Sequence, residues 1–420
     1  MKTTSPRISY FPLALLLLAL LIRGGILLAM PGSLAGDPDG YRALAENLLQ
    51  HGTYGHRETP TAYRPSLYPL LLAGCVALDP GGRLAIGALH LAMGLATVWL
   101  TFLLGRRWAM SDRAAAAAAV LVACDPILLM YSTMVMTETA ATLLAVAALV
   151  CLTLAGQEPS IRRSALAGAA LALAVLCRPG FIVWLGVAGL VLPFFAPSKR
   201  AKLIVFGSFF AAAVVTLSPW VIRNKSHFGQ PLITTTHGGY TLLLGNNPSF
   251  YDYLRNGAWG SVWNADRFNQ SWAASKPDDE ISADRLAYDE ALRNIANQPG
   301  TFCHACAVRI GRLWQFVPYR VVDREGPLRR LARWSVGVWY LVVLSLSAIG
   351  ALSTFWRRRP PEWIWGLLLI GCLTAVHTVY WTNMRMRAPL MPILALEAVA
   401  FAGRWSRGRV DKGEPVKNSP

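Results

Sequence analysis

The chain has 420 residues and a net charge of +17, and 54% of its residues are hydrophobic whereas only 15% are charged. Its mean hydropathy of +0.39 excludes a soluble domain with a single core and indicates a membrane protein with several spans. The pI of about 9.9 does not require a nucleic-acid partner, because the basic residues follow the membrane topology.

A helix needs about 20 apolar residues to cross the hydrocarbon of a bilayer. By this criterion we predict an all-α polytopic membrane protein with about ten transmembrane helices. The predicted spans cover residues 10–31, 84–104, 114–132, 137–155, 164–179, 181–196, 201–221, 333–354, 362–382 and 388–403. A further apolar run at residues 66–78 is too short to cross comfortably, so we predict a partly inserted or re-entrant helix on the outer surface.

Basic residues predict the orientation, since short cytoplasmic loops accumulate Lys and Arg. If residues 66–78 do not cross, the basic residues of both chain ends and of the inner loops fall on one side. They are Lys2, Arg7, Arg106, Arg107, Arg113, Arg162, Arg163, Lys199, Arg200, Lys202, Arg357 to Arg359 and the tail from Arg404 to Lys417. We therefore expect an inner, cytoplasmic membrane protein with both termini in the cytoplasm, whose first helix is retained and not cleaved as a signal peptide.

This topology divides the chain into three parts. Residues 1–222 carry the N-terminal membrane helices and a first outer loop at 32–83, and residues 333–420 carry the C-terminal membrane helices and a basic cytoplasmic tail. Between them, residues 223–332 form an external loop region of mixed character with surface helices, where Gly pairs and an Asn-Asn-Pro sequence are typical of turns.

The sequence Asp37-Pro38-Asp39-Gly40-Tyr41 begins where the first apolar run leaves the bilayer. Carboxylates at a membrane surface indicate function, because partial desolvation raises the basicity of a carboxylate that accepts a proton from a hydroxyl nucleophile. Asp37 can equally cap the amphipathic helix predicted at 41–50. Spacing alone leaves both interpretations open.

Other charged residues lie on the same predicted outer side. Glu138 begins one span, Arg178 ends another, and Arg385 and Arg387 lie in the last outer turn. Arginine binds phosphate oxygens in a forked geometry, so acids beside arginines suit a substrate linked to a lipid phosphate. The alternatives are a helix cap for Glu138, a helix end at Arg178, and interfacial anchoring of Arg385 and Arg387.

Two further charged residues and a pair of cysteines can each be interpreted in more than one way. Arg23 and Asp125 lie in predicted spans, so each is expected to pair or to face a cavity, unless Arg23 snorkels to the interface. Cys303 and Cys306 have metal-like spacing but no second pair. A helical surface is the favoured interpretation of this pair, with a metal or redox site or a local disulfide as alternatives.

Motifs over nearly the whole chain occur in an order that resembles the GT-C membrane glycosyltransferases. The resemblance is greatest to the bacterial family-39 type, which is related to protein O-mannosyltransferases and to the aminoarabinose transferase of lipid A. The motifs are Asp37-Pro-Asp-Gly-Tyr41, Ala45-Glu-Asn-Leu48, Gly52-Thr-Tyr-Gly55, Tyr63-Arg-Pro-Ser-Leu-Tyr-Pro69, Gly105-Arg-Arg107, Thr137-Glu138, Arg178-Pro-Gly180, Pro219-Trp-x-x-Arg-Asn224, Gly238-Gly-Tyr240, Gly245-Asn-Asn-Pro248 and Arg385-x-Arg387-x-Pro389.

The resemblance implies an inverting glycosyltransferase, a hexosyl or pentosyl transferase that uses a polyprenyl-phosphate-sugar donor on the outer face of the cytoplasmic membrane. The acceptor hydroxyl belongs to a glycolipid, lipid A, a glycan or a protein, although the soluble and repeat domains of protein-modifying relatives have no counterpart here. The alternative is a transporter or flippase of lipid-linked substrates, which should show internal repeats and sites at the midplane. A lipid-binding scaffold is a third option that would not need Asp37.

The resemblance also implies roles for individual residues. Asp37, four residues before Tyr41, is the expected general base. The expected substrate-binding residues are Asp39, Tyr41, Arg64, Glu138, Arg178, His237, Tyr240, Arg385 and Arg387. Among them the four arginines would hold the donor phosphate, Glu138 would orient the acceptor or the sugar, and the His237 and Tyr240 rings would line the pocket.

Few other partners are expected. No His/Asp cluster has persuasive ligand spacing, so we predict no obligatory metal, and dependence on a divalent metal stays open. The expected partners are membrane lipids and a polyprenyl-phosphate-linked sugar, with no nucleic acid.

Overall fold

The computed structural model of the chain describes residues 11–257, 262–319, 325–356 and 361–410. Some of the basic residues that predict the orientation, namely Lys2, Arg7, Arg357 to Arg359 and the tail beyond residue 410, lie outside the described residues. Within the described ranges the chain is mostly helical, and the predicted all-α polytopic membrane fold is confirmed. The division into three parts stays a prediction.

The N-terminal part consists of helices and one small hairpin. Its helices are α1 Phe11–Ala29, α2 Tyr41–His51, α3 Leu67–Leu78, α4 Arg83–Arg107, α5 Asp112–Ala123, α6 Pro126–Ser132, α7 Glu138–Gln157, α8 Ile161–Cys177, α9 Phe181–Val191 and α10 Lys199–Phe228. Short 3₁₀ turns at Pro31–Ala35 and Leu192–Phe195 follow α1 and α9. Strands β1 Gly55–His56 and β2 Thr59–Pro60 pair antiparallel between α2 and α3.

The rest of the chain is also helical. Residues 223–332, which are predicted to be external and are called the external segment below, contain α11 Gly238–Gly245, α12 Pro248–Asn256, α13 Asp266–Ser275, α14 Glu280–Asn297 and α15 Pro299–Trp314. The C-terminal part contains α16 Pro327–Trp356, α17 Ile364–Val379 and α18 Met391–Val410, with 3₁₀ turns at Pro361–Trp363 and Met384–Leu390. Cys303 and Cys306 lie on α15 with free thiols, which agrees with the helical interpretation and not with a disulfide.

Side-chain caps determine where several helices begin. In each case a side-chain oxygen just before the helix accepts a backbone N–H of its first turn, which would otherwise lack a partner. The capping residues are Ser111, Ser160, Ser198, Asn247 and Asp279. These caps place the starts of α5, α8, α10, α12 and α14 within a few residues of the apolar or amphipathic runs.

Each predicted span corresponds to one helix or to consecutive helices. Among the described residues, five helices are long and apolar enough to cross a membrane, or six if the bent pair α5 and α6 forms one span. That pair is bent by 50°, because Pro126 offers no N–H and holds the preceding Asp125 in an extended conformation, with ψ of 124°. Shorter apolar helices cover residues 13–29, 67–78 and 181–195, so the number of about ten spans stays a prediction.

The loops at one end of the bundle contact each other. The Gln157 side-chain amide donates to the Arg107 carbonyl oxygen at 3.2 Å. The ring centroids of Trp108 and Trp363 are 4.6 Å apart. Gln157, Arg107 and Trp108 belong to the loops that the charge pattern predicts to be cytoplasmic, and Trp363 lies at the start of the span that follows another of these loops. The grouping of the loops therefore agrees with the predicted topology.

Helix α3 stays at the other end, beside the first outer loop. Its 12 residues extend about 18 Å, which is less than the hydrocarbon thickness of about 30 Å. The Tyr68 ring at the start of α3 has its centroid 5.3 Å from that of Tyr41 in α2, and a Cβ on Gly82, which follows α3, would lie 3.8 Å from Arg42 Nε of α2. Both ends of α3 are therefore near α2, which supports the predicted re-entrant placement.

Small residues allow the membrane helices to pack closely. A Cβ on Gly168 of α8 would lie 2.1 Å from the carbonyl oxygen of Phe209 in α10, and one on Gly105 of α4 would lie 3.1 Å from the Ala115 Cβ in α5. Close contacts through small residues are typical of membrane helix pairs. These close contacts hold together the helices that carry the outer loops.

Arg23 and Asp125 are buried and join neighbouring helices. Nη2 of Arg23 donates to the Val122 carbonyl oxygen at 2.8 Å, and Arg23 is only 2% exposed, so its side chain does not snorkel. Asp125 accepts the Leu128 N–H at 3.0 Å and the Tyr340 hydroxyl at 3.0 Å. The two side chains thus connect α1, α5, α6 and α16.

Candidate active site at one end of the helix bundle

Asp37 lies between α1 and α2 and contacts the first turn of α2. Its Oδ2 accepts the Ala43 N–H at 3.0 Å, as the capping interpretation predicts. Its Oδ1 is buried and has no hydrogen-bond partner among the described residues. One oxygen thus orients the carboxylate, and the other keeps an unused capacity to accept a hydrogen bond. Capping and catalysis are therefore compatible at this residue.

Asp39 pairs with Arg64, which brings together two parts of the first outer loop that are 25 residues apart in sequence. Arg64 Nη2 lies 3.3 Å from Asp39 Oδ1. The Arg64 guanidinium also lies 5.5 Å from the Tyr41 ring centroid and 5.4 Å from that of Tyr63, in the range of cation–π contacts. Gly40, with φ of 73°, makes the left-handed turn between Asp39 and Tyr41 that favours glycine.

Glu138 binds two arginines at the start of α7. It is 1% exposed, and its Oε1 accepts from Arg178 Nη2 at 2.7 Å and lies 3.7 Å from Arg385 Nε. Arg178 Nε also donates to Thr137 Oγ1 at 3.1 Å. Glu138 Oε2 is buried with no hydrogen-bond partner among the described residues. One carboxylate therefore holds two guanidinium groups and keeps one oxygen free.

Tyrosines connect these groups into one site. The Tyr41 hydroxyl interacts electrostatically with members of both ion-pair groups, namely Arg64, Asp39, Arg178 and Glu138. Burial raises the pKa of Tyr41 to about 12, so its hydroxyl stays neutral. The Tyr68 ring, with its centroid 5.3 Å from that of Tyr41, interacts with both Asp37 and Glu138. The acids and arginines thus share one neighbourhood.

The charge of Arg385 is favoured by this neighbourhood. Burial disfavours the charged guanidinium, but the nearby carboxylates of Glu138 and Asp39 outweigh it and raise the pKa of Arg385. Its side chain also contacts the Met136 sulfur, with Nη1 at 3.2 Å. Arg385 therefore remains a cation whose partners belong to the first outer loop and to α7.

His237 and Tyr240 extend the site on the side of the external segment. The His237 ring packs edge-on against Tyr63 with centroids 4.4 Å apart and stacks on Tyr240 at 5.3 Å. Burial, and then the positive charge of Arg64, lower the pKa of His237 to about 3. The imidazole is therefore neutral, and its buried Nδ1 has no hydrogen-bond partner among the described residues.

Arg387 lies apart from this cluster. Its Nη1 donates to the carbonyl oxygens of Leu313 at 3.0 Å and Gln315 at 2.5 Å, and its guanidinium lies 4.2 Å from the Tyr340 ring centroid. In a 3₁₀ turn, with about three residues per turn, side chains two apart face different directions. The phosphate-binding role of Arg387 stays a prediction, and these contacts do not support it.

Two residues outside the predicted set of site residues hold the first outer loop. Arg223 donates through Nη1 to the Thr61 carbonyl oxygen at 2.9 Å and through Nη2 to the Tyr54 carbonyl oxygen at 2.8 Å. Glu280 accepts the Thr61 hydroxyl at 2.7 Å and the Ala62 N–H at 2.6 Å. The motif Pro219-Trp-x-x-Arg-Asn224 was a signal for Arg223, whereas nothing local in the sequence marks Glu280.

The described residues offer no metal cluster. Across residues 11–257, 262–319, 325–356 and 361–410, no three His, Cys, Asp or Glu side chains form a group that could hold a metal ion. Asp37, Asp39 and Glu138 belong to separate hydrogen-bond and ion-pair groups. The expectation of no obligatory metal stays a prediction.

Part of the sequence matches a known family. Residues 63–222 match the sequence profile of a family described as dolichyl-phosphate-mannose-protein mannosyltransferase. The match runs from within the first outer loop into α10 and includes Arg64, Glu138 and Arg178, whereas Asp37 and Arg385 lie outside it. A search of curated proteins returns no match.

Solved structures resemble the whole chain. The oligosaccharyltransferase of Archaeoglobus fulgidus tethered with an acceptor peptide is 14% identical, with a TM-score of 0.51 over 96% of this chain and 51% of that chain. Its apo form is 15% identical, with a TM-score of 0.50 over 98% and 53%. ArnT from Cupriavidus metallidurans bound to undecaprenyl phosphate is 15% identical, with a TM-score of 0.44 over 96% and 81%. The chain thus spans about half the length of the oligosaccharyltransferases.

The fold is therefore that of the GT-C membrane glycosyltransferases, and the resemblance predicted from the order of the motifs is confirmed. At 14% and 15% identity the structural likeness shows the fold alone. A common fold supports many functions, so the activity has to be argued from the site.

Proposed function

We propose that this chain is an inverting glycosyltransferase that moves a sugar from a polyprenyl-phosphate-linked donor to an acceptor hydroxyl. The observation that carries the proposal is the meeting of acids and arginines at one end of the bundle, where Glu138 holds Arg178 and Arg385 and Asp39 holds Arg64. Three guanidinium groups suit the charge of a departing lipid phosphate. The family match over residues 63–222, whose description names dolichyl-phosphate-mannose, supports a lipid-linked donor.

Asp37 is the proposed general base. It takes the proton of the acceptor hydroxyl at its free Oδ1 while the hydroxyl oxygen attacks the anomeric carbon of the donor sugar. The bond from that carbon to the phosphate oxygen breaks, the lipid phosphate leaves with the electron pair, and the anomeric configuration inverts. The Ala43 N–H on Oδ2 holds the carboxylate in place. A positioned base contributes about 10²- to 10⁴-fold to the rate.

Arg64, Arg178 and Arg385 are the proposed phosphate ligands. Arg387 is left out of this set, because its contacts are to backbone carbonyls and to Tyr340. Glu138 orients two of the three arginines, and its free Oε2 is placed to accept a hydroxyl of the sugar or of the acceptor. Asp39, Tyr41, His237 and Tyr240 line the same site.

We place the site on the outer face of the cytoplasmic membrane, with both termini inside. Support comes from the loops at the other end of the bundle, which carry Arg106, Arg107, Arg162, Arg163 and Lys199, since basic loops remain in the cytoplasm. The proposal covers hexosyl and pentosyl donors. Glycolipid, lipid A, glycan and protein acceptors are separated by the experiment that follows.

The experiment supplies the full chain, in membranes, with a panel of labelled polyprenyl-phosphate sugars and identifies the labelled product. Wild type should label one class of acceptor, and Asp37→Asn should lower kcat at least about 100-fold. Glu58→Gln, at an exposed acid of the same loop, is the matched control and should retain activity. Wild-type turnover by Asp37→Asn would refute the base, and no transfer by wild type from any donor would refute the function.

A further inference from the structure

Helix α14 meets the candidate site through residues spaced one turn apart. Positions i and i+4 of a helix lie on the same face, and Glu280 and Asp284 both point to residues 236–239. Glu280 Oε1 accepts the Thr236 hydroxyl at 2.9 Å, and Asp284 Oδ1 accepts the Gly239 N–H at 2.7 Å. These acids therefore hold the segment that contains His237.

The close approach of α14 to the start of α11 requires two glycines. A Cβ on Gly238 would lie 2.2 Å from the Tyr288 hydroxyl oxygen, and one on Gly239 would lie 2.2 Å from the Asp284 carbonyl oxygen. Tyr288 is one further turn along the same face of α14. The Gly238-Gly239-Tyr240 motif is thus explained by contact with this helix.

Glu280 reaches the first outer loop at the same time. Its Oε2 accepts the Thr61 hydroxyl at 2.7 Å, and its Oε1 accepts the Ala62 N–H at 2.6 Å. The Thr61 hydroxyl oxygen in turn accepts the Tyr63 N–H at 3.0 Å, and the Thr236 N–H donates to the Ala62 carbonyl oxygen at 3.1 Å. One carboxylate therefore joins two segments that are far apart in sequence.

The joined segments carry two sides of the candidate site. Tyr63 and Arg64 directly follow the held residues 61 and 62, and His237 directly follows Thr236. The rings of Tyr63 and His237 are in contact, with centroids 4.4 Å apart. Arg223 also holds Thr61, through the Thr61 carbonyl oxygen, so an acid and an arginine both fix the loop at this residue.

We propose that Glu280 is a positioning residue, which fixes Arg64 and His237 relative to each other and thereby sets how well the donor phosphate and sugar bind. The effect of this positioning on catalysis rests on the proposed function. Hydrogen bonds to a carboxylate are stronger than those between neutral groups, and Glu280 accepts three of them. Removing the carboxylate leaves the two segments to move apart.

The kinetic test compares Glu280→Ala and Glu280→Gln with Asp289→Asn, a control at an exposed acid of the same helix. Glu280→Ala should raise the donor KM about tenfold with a smaller change in kcat. Glu280→Gln keeps an oxygen for the Ala62 N–H and an amide group that can donate to Thr61 Oγ1, so it should restore most of the donor affinity. Asp289→Asn should behave as wild type.

Hydrogen exchange tests the same contacts without an activity assay. The amides of residues 61–64 and 236–239 should exchange faster in Glu280→Ala than in wild type or in Asp289→Asn. Unchanged exchange at these amides, or a wild-type donor KM in Glu280→Ala, would overturn the positioning role. If wild type transfers no sugar, the proposed function fails, and exchange still decides whether Glu280 joins the two segments.

Discussion

Glu138 is the residue at which burial and charge coincide in this site. Its carboxylate is 1% exposed and faces two guanidinium groups. Neutralising it would leave those cations without their counter-charge, and breaking a buried pair typically costs about 3–5 kcal/mol. We expect Glu138→Gln to lower the free energy of unfolding in detergent by about 3 kcal/mol.

An exposed pair of the same chemistry provides the control. Glu158 Oε2 lies 2.5 Å from Arg163 Nη1, but the two side chains are 72% and 34% exposed. Exposed pairs contribute about 0–1 kcal/mol, so Glu158→Gln should change stability little. Equal losses in the two variants would show that burial of the Glu138 pair is not what stabilises it.

His237 predicts a pH dependence of stability. Burial and Arg64 lower its pKa from 6.5 to about 3 in the folded chain, so the unfolded chain binds more protons between these values. Stability from this group is therefore complete above pH 6.5 and falls as the pH decreases toward 3, by up to about 1.4 kcal/mol per pH unit. Thermal unfolding at pH 7 and pH 5 should differ less in His237→Asn than in wild type.

The matched control for this measurement is His56→Asn. His56 is an exposed residue of the first outer loop, so its replacement should leave the pH dependence of unfolding as in wild type. A His237→Asn protein that loses as much stability between pH 7 and pH 5 as wild type would contradict the assignment of this dependence to His237.

At the residue scale the sequence predicted which residues lie close together better than it predicted the directions of their side chains. The order of the motifs indicated that Asp37, Glu138 and Arg178 belong together, and the structure brings them into one neighbourhood. The order of the motifs could not indicate that Arg385 faces Glu138 while Arg387 faces backbone carbonyls. The directions of these two side chains depend on a 3₁₀ turn that hydropathy does not predict.

At the element scale, the fit of α14 against α11 predicts a glycine requirement. Gly239→Ala would place a methyl group 2.2 Å from the Asp284 carbonyl oxygen, which forces the two helices apart. We expect a loss of about 2 kcal/mol or more in the stability of the external segment. Limited proteolysis should then cut residues 236–300 faster than in wild type.

Gly300→Ala is the control for this change. A Cβ on Gly300, in the first turn of α15, meets nothing within 4 Å, and alanine favours a helix over glycine by up to about 1 kcal/mol. This variant should be as resistant to proteolysis as wild type, or more so. Similar cleavage of the two variants would remove the packing explanation of the glycine motif.

The helices were predictable from the sequence where hydropathy alone determines their positions. The predicted span at 137–155 corresponds to α7, and that at 84–104 corresponds to α4. The bend at Asp125-Pro126 was not predicted, since the apolar run continues through it. The role of α14 was also missed, because Glu280 contacts Thr61 across 219 residues and long-range partners leave no local pattern.

At the scale of the whole molecule, the contacts group the loops into two ends. Asp39 with Arg64, Glu138 with Arg178, and Glu138 with Arg385 join the first outer loop and the later turns at one end. Gln157 and Arg107 meet at the other. Because Arg64 and Glu138 lie at the same end, the chain must cross the membrane an even number of times between them. Helix α4 and the bent pair α5 and α6 supply two crossings, so α3 need not cross.

A native thiol can report which end of the bundle faces the cytoplasm. Cys303 is exposed on α15 of the external segment. A membrane-impermeant thiol reagent should label wild type in intact cells, and Cys303→Ser should lose that label. Glu158→Cys, introduced into Cys303→Ser at an exposed position of the other end, should be labelled only after the membrane is permeabilised.

The labelling pattern constrains the chemistry as well as the topology. Label on Cys303 in intact cells places Asp37 and the arginines where a lipid-linked donor, and not a soluble nucleotide sugar, is the accessible sugar source. The reverse pattern, with Glu158→Cys labelled in intact cells and Cys303 protected, would put the site in the cytoplasm. It would contradict the positive-inside orientation and remove the topological argument for a polyprenyl-phosphate donor.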